Sequence, residues 1–204
     1  MKTASLTRLL ILLATGTVLF VGCFIPTGPE DAPTDTEEAS SSYSIGDRGP
    51  GGGWIFYVDT EDEFDWTYLE AAPSDASESV VWSNVANYFG LGVLSGAIGR
   101  GESNTELIVE QDGHEESAAQ VALDYEAGGF SDWFLPSNEE LLAMRDNLHQ
   151  IGVGGFSDAG YWSSMEMGTS TPNSGRFVDF SSFTSSWSSI VKTESRRVRA
   201  ARKF

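Results

Sequence analysis

Trp187 stands in the run Ser181-Ser182-Phe183-Thr184-Ser185-Ser186-Trp187-Ser188-Ser189, where one large aromatic ring is flanked by hydroxyls, and Glu166, Arg176 and Asp179 precede it. An aromatic face beside hydroxyls and carboxylates is what a carbohydrate site uses, the ring supplying apolar area and the charged groups directional hydrogen bonds. The segment between Trp162 and Val191 is therefore the candidate ligand-binding region, with Glu166, Arg176, Asp179 and Trp187 as its contacts. The competing account pairs Arg176 and Asp179 with each other or their neighbours and turns Trp187 inward. Catalysis is not indicated: His114 and His149 are the only histidines, both lie in polar stretches, and neither Gly-x-Ser-x-Gly nor His-Glu-x-x-His occurs. The run Gly49-Pro50-Gly51-Gly52-Gly53 leads into a strand-like segment, whereas a phosphate loop requires a helix there. Thr60-Glu61-Asp62-Glu63-Phe64-Asp65 is acidic but lacks the spacing and central glycine of an EF-hand loop, so it reads as a solvated turn. No catalytic residue, metal ligand or cofactor site is expected.

Cys23 is the only cysteine in the chain. Before it, Lys2 and Arg8 form a positive leader and Leu9 to Val21 an apolar run of signal-peptide length, short of the roughly 20 residues that span a bilayer. Leu19-Phe20-Val21-Gly22-Cys23 resembles a lipobox, in which the thiol is acylated and becomes the new N-terminus, with Phe20 where Leu is usual. Residues 1–22 are thus expected to be a lipoprotein signal peptide and Cys23 the lipidation site, holding the protein on a membrane in the cell envelope, at the outer membrane or cell surface. An unpaired thiol in an oxidising compartment gives the same answer, since no second cysteine exists to pair with it.

These residues need a scaffold, and composition sets its limits. The chain has 30 acidic and 12 basic residues, a net charge of −18, and all the acids lie beyond the expected signal. Such a surface repels nucleic acid and anionic lipid, so no nucleic-acid partner is expected. Residues 23–43, rich in Pro, Thr, Glu, Asp and Ser, read as a disordered tether with a reach on the order of 25 Å. Residues 44–204 hold all six tryptophans and form the expected domain. Strands are expected at Trp54–Val58 and Trp66–Ala71, paired across the acidic turn, then at Tyr161–Ser164, Gly175–Phe180, Trp187–Lys192 and Arg197–Phe204. Two helices are expected: one from Glu115 to Tyr125, and one opened by a capping box at Ser137 and Glu140 behind Pro136. Trp133, Phe134, Leu135 and Trp162 are assigned to the core. This order predicts an α+β domain whose terminal strands pair. In a single closing strand Arg197, Arg199 and Lys203 would share one face and Val198, Ala200, Arg202 and Phe204 the other, so the basic C-terminus is expected to pair with acids of the domain rather than form one patch.

Five segments taken in order, Ile45-Gly46-Asp47-Arg48-Gly49-Pro50-Gly51-Gly52-Gly53 with Phe56-Tyr57, Tyr68-Leu69-Glu70-Ala71-Ala72-Pro73, Ser131-Asp132-Trp133-Phe134-Leu135-Pro136-Ser137 with Glu140-Leu141, Tyr161-Trp162-Ser163-Ser164 and Val198-Arg199-Ala200-Ala201-Arg202, resemble the Lcl C-terminal domain family of exported bacterial proteins. The resemblance covers nearly everything after the tether. It implies a C-type lectin-like fold, with two helices on short, mostly antiparallel sheets and a loop-rich ligand face. Calcium-dependent sugar binding is not implied, because Thr171-Pro172-Asn173 lacks the acid of the usual Glu-Pro-Asn loop. The function expected from sequence is a lipid-anchored, non-enzymatic binding or adhesion module for an extracellular glycan or protein; the alternative is a structural or assembly component of the envelope without a small ligand.

Overall fold

Trp54-Ile55-Phe56-Tyr57-Val58 is β-branched and aromatic throughout, and it forms the first strand, β1 (Trp54–Val58). The computed structural model describes residues 42–87, 89–90, 94–168, 173–184 and 187–204. The expected signal peptide 1–22, Cys23 and nearly all of the tether lie outside the described residues, as do Thr171 and Pro172. Residues Ser41–Phe204 form one compact unit.

Strand β2 (Tyr68–Ala71) pairs antiparallel with β1 across the acidic turn, with a bulge at Phe56, and is followed by β3 (Ser77–Val81). Three α-helices come next: α1 (Gly101–Val109), α2 (Ala118–Leu123) and α3 (Asn138–Asn147). Ser117 caps α2 by accepting from Gln120 N, and α3 carries both halves of the capping box between Ser137 and Glu140. Then follow β4 (Gly160–Glu166), β5 (Ser174–Asp179), β6 (Ser188–Val191), β7 (Ser195–Val198) and β8 (Ala201–Lys203). The fold is α+β: a three-stranded sheet ordered β1-β2-β8 and a five-stranded sheet ordered β3-β7-β4-β5-β6, antiparallel except where β4 meets β7. Among the described residues no helix is long and apolar enough to cross a membrane.

Side-chain alternation along β4 and β5 divides the core in two. Tyr161 and its partner Val178 face one way, into a cluster with Leu141, Met144 and Leu148 of α3 and Phe56 and Leu69 of the small sheet. Trp162 and its partner Phe177 face the other way, toward Trp82, Trp133, Ile108 of α1 and Ala118, Ala119 and Ala122 of α2. Trp133, Phe134, Leu135 and Trp162 are fully or almost fully buried, as expected.

Three expectations are corrected. There are three α-helices rather than two, because Gly101–Val109 winds into a helix that buries Gly101, Asn104, Thr105 and Ile108, a polar face with no apolar stripe to read. The expected closing strand 197–204 is two strands in different sheets. Val198, Arg199 and Ala200 are buried in succession, which breaks the alternation of a strand, and Arg199 turns inward to donate to the carbonyls of Ala72, Gly154 and Gly155 and to Asp75. The first and last strands share a sheet but do not pair with each other, since β2 lies between them.

Candidate binding site

The β5–β6 hairpin brings Arg176 and Trp187 together. Arg176, Val178 and Phe180 alternate onto one face of β5; Val178 and Phe180 enter the core, and Arg176 continues that face toward the hairpin end. There its guanidinium carbon lies 3.9 Å from the centre of the Trp187 ring. Trp187 is 37% exposed, so it is not turned into the core. Arg176 has no ion pair among the described residues, and its Nε is buried without a hydrogen-bond partner. Burial draws its pKa down from the ordinary value without discharging a group this basic. The result is a planar cation laid on an exposed indole, with donors left for a ligand oxygen. Phe183, 47% exposed, lies nearby in sequence and is held 5.6 Å from the His149 ring.

The other two expected contacts lie elsewhere. Glu166 is buried and ion-paired to Lys192 Nζ at 2.9 Å, while its second oxygen accepts from Phe89 N. Burial raises the Glu166 pKa and lowers that of Lys192, and each charge opposes the shift of the other. Asp179 faces away from Arg176 along β5; its Oδ1 accepts from Ser181 N and Oγ, and it lines a groove of about 460 Å³ with Gly160, Phe177 and Arg196. The structure thus joins Arg176 to Trp187 and places Glu166 and Asp179 apart from them. Arg196 opens the basic C-terminal run 196–204, and nothing in the sequence marks it as the member without an acid partner among the described residues.

The other motifs resolve into internal partnerships. The glycine run cradles an anion, but the anion is the buried Glu70 carboxylate, which accepts from Gly51 N at 3.1 Å and Gly53 N at 2.6 Å. Its pKa is raised, chiefly by burial, against the pull of those amides and of Arg202. In the acidic turn Asp59 accepts from Glu61 N and Phe64 N, and Phe64 stacks on Trp66 at 4.4 Å. Among the described residues no group of three or more His, Cys, Asp or Glu side chains is placed to hold a metal ion. Four of the C-terminal cations pair with acids of the domain, Arg197 and Arg199 with Asp75, Arg202 with Asp132 and Lys203 with Glu102, whereas Arg196 has no ion pair among the described residues. No family model matches the chain, and no curated protein matches it.

Proposed function

We propose that this chain is a lipid-anchored lipoprotein of the cell envelope whose folded part is a non-enzymatic binding or adhesion module for an extracellular glycan or protein. The observation that carries the binding part is the exposed Trp187 ring under the Arg176 guanidinium: an apolar platform with a cation that has no ion pair among the described residues and whose Nε lacks a hydrogen-bond partner there. The C-type lectin-like assignment rests on the resemblance to the Lcl C-terminal domain family, and the α+β arrangement, with first and last strands in one sheet, supports it. The anchor rests on the apolar leader followed by a lone cysteine. Burial of acyl chains, worth about 0.8 kcal/mol per methylene, would hold the protein on the membrane.

Binding is tested by screening the whole protein and its Trp187→Ala variant on a glycan array and in pull-downs. The variant should lose at least about tenfold in affinity while unfolding free energy falls by under about 2 kcal/mol, less than the 3–5 kcal/mol typical of a core tryptophan. A variant that binds as well as the parent rules this surface out. The anchor is tested by Cys23→Ser, which should abolish acyl-lipid labelling and release the protein from membranes. Continued labelling would refute it.

A further inference from the structure

We propose a second binding site, in the groove between β7 and the β4–β5 pair, for a small zwitterion of the α-amino acid class. It lies on the face of β5 opposite Arg176 and does not rest on the role given to Trp187.

Three observations carry it. The first is Arg196, whose guanidinium carbon lies 4.8 Å from the centre of the Phe177 ring. Arg196 Nη1 donates to the carbonyl of Ser195 at 2.6 Å, and no carboxylate lies within ion-pair distance of it among the described residues. Its neighbours along the chain, Arg197, Arg199, Arg202 and Lys203, all have acid partners, which sets Arg196 apart within this C-terminal run.

The second is Gly160. Its backbone is not left-handed, and what a side chain there would displace is the present seat of Arg196. A Cβ at Gly160 would sit 2.8 Å from Arg196 Cδ and 3.0 Å from Phe177 Cδ2. The glycine leaves room for the arginine to lie against the ring, which fixes the guanidinium at the groove.

The third is the rest of the lining. Asp179 and Asp158 belong to the same groove, Asp158 lying 3.2 Å from His149 Nε2 with 79% of its side chain exposed, and so do Glu78 and Arg197, which are 3.7 Å apart and face each other. A plain anion is drawn to Arg196 but repelled by these carboxylates, and a plain cation meets the reverse. A molecule with both charges satisfies both: its carboxylate takes paired N–H donors from Arg196, and its ammonium donates to the aspartates. A volume of about 460 Å³ suits an amino acid or a dipeptide.

The test is NMR titration of the whole protein with L-alanine, alanyl-alanine, acetate and methylammonium. Saturable binding of alanine or the dipeptide is expected, with either half-molecule at least tenfold weaker; whichever zwitterion binds tighter distinguishes free amino acids from peptide ends. Arg196→Gln should weaken binding at least tenfold. Asp158→Asn, a change at an exposed side chain that leaves the core intact, should weaken it severalfold and keeps the test valid if the arginine variant fails to fold. Absence of saturable binding by either zwitterion, acetate binding as tightly as alanine, or affinity unchanged in both variants would overturn the proposal.

Discussion

Glu140 is the residue on which two helix starts converge. Its Oε2 accepts from Ser137 N at 2.8 Å, closing the capping box of α3, while Oε1 accepts from Gly99 N at 2.8 Å and Gly101 N at 3.3 Å, where α1 begins. Complete burial pushes its pKa up to about 7, against the downward pull of those amides. The sign of the consequence is fixed by linkage. Between about pH 4.5 and 7 the native chain keeps a proton that the unfolded chain has released, so this group's contribution to stability is full below pH 4.5 and is lost as pH rises toward 7. The loss is on the order of 3 kcal/mol. Glu140→Gln removes the titration and sets an amide NH₂ against one of the donors, at a cost of about 1–3 kcal/mol. The wild type should therefore exceed the variant most at pH 4.5, and the gap should narrow by pH 7.5 in urea melts. A gap that widens with pH would show that Glu140 is held as an anion. The candidate binding residues teach a different lesson: Arg176 and Trp187 were visible as types, but a hairpin had to bring them together. Glu166 looked equally available, yet it is buried against Lys192, because a charged side chain carries no mark of which way its strand faces.

Elements were legible where local chemistry settles them. The capping box at Ser137 and Glu140 and the aromatic strand Trp54–Val58 each follow from short-range rules, and each occurs, whereas the helix expected from Glu115 to Tyr125 is shorter, Ala118–Leu123, because Ser117 caps it. Helix α1 was hidden because the face it buries includes Asn104 and Thr105, whose side chains bond to Ser95 O, Ser164 Oγ and Leu135 O on distant segments. Strand β3, Ser77-Glu78-Ser79-Val80-Val81, is an edge strand with little to alternate. The split of the last strand depends on Asp75, far away in sequence, receiving Arg197 and Arg199. In the glycine run the backbone comes close to β2, and the closeness is measurable. A Cβ on Gly53 would lie 2.0 Å from the Ala71 carbonyl oxygen, backbone that β2 holds in place, whereas one on Gly52 meets nothing within 4 Å. Gly53→Ala should therefore cost at least about 3 kcal/mol, since it pries β1 from β2 and strips Glu70 of a donor. Gly52→Ala, with φ at +76°, should cost only the left-handed penalty of about 1–2 kcal/mol. Equal losses in denaturant melts would mean that backbone conformation, not the approach of β1 to β2, explains the glycines.

At the scale of the whole molecule the charges are sorted by depth. Lys192, Arg199 and Arg202 are buried with acid partners, and Arg197 and Lys203 are paired closer to the surface. With Arg145, Lys192, Arg197, Arg199, Arg202 and Lys203 engaged in pairs, most of the acids among the described residues are exposed to solvent, and the surface of the domain carries an excess of negative charge. Like charges on a compact body repel more than on an unfolded chain, so the excess destabilises the folded state. Salt acts on the two populations unequally. Raising ionic strength from 0.01 M to 1 M shortens the Debye length from about 30 Å to about 3 Å, which removes repulsion across the surface, whereas buried pairs such as Glu166–Lys192 are screened far less. Sodium chloride should thus stabilise the protein by about 1 kcal/mol, seen as a rise in Tm of about 2–4 °C for a domain of this size. A fall in Tm over the same range would mean that exposed pairs such as Lys203–Glu102, whose side chains are 35% and 41% exposed, contribute more to stability than surface repulsion takes away.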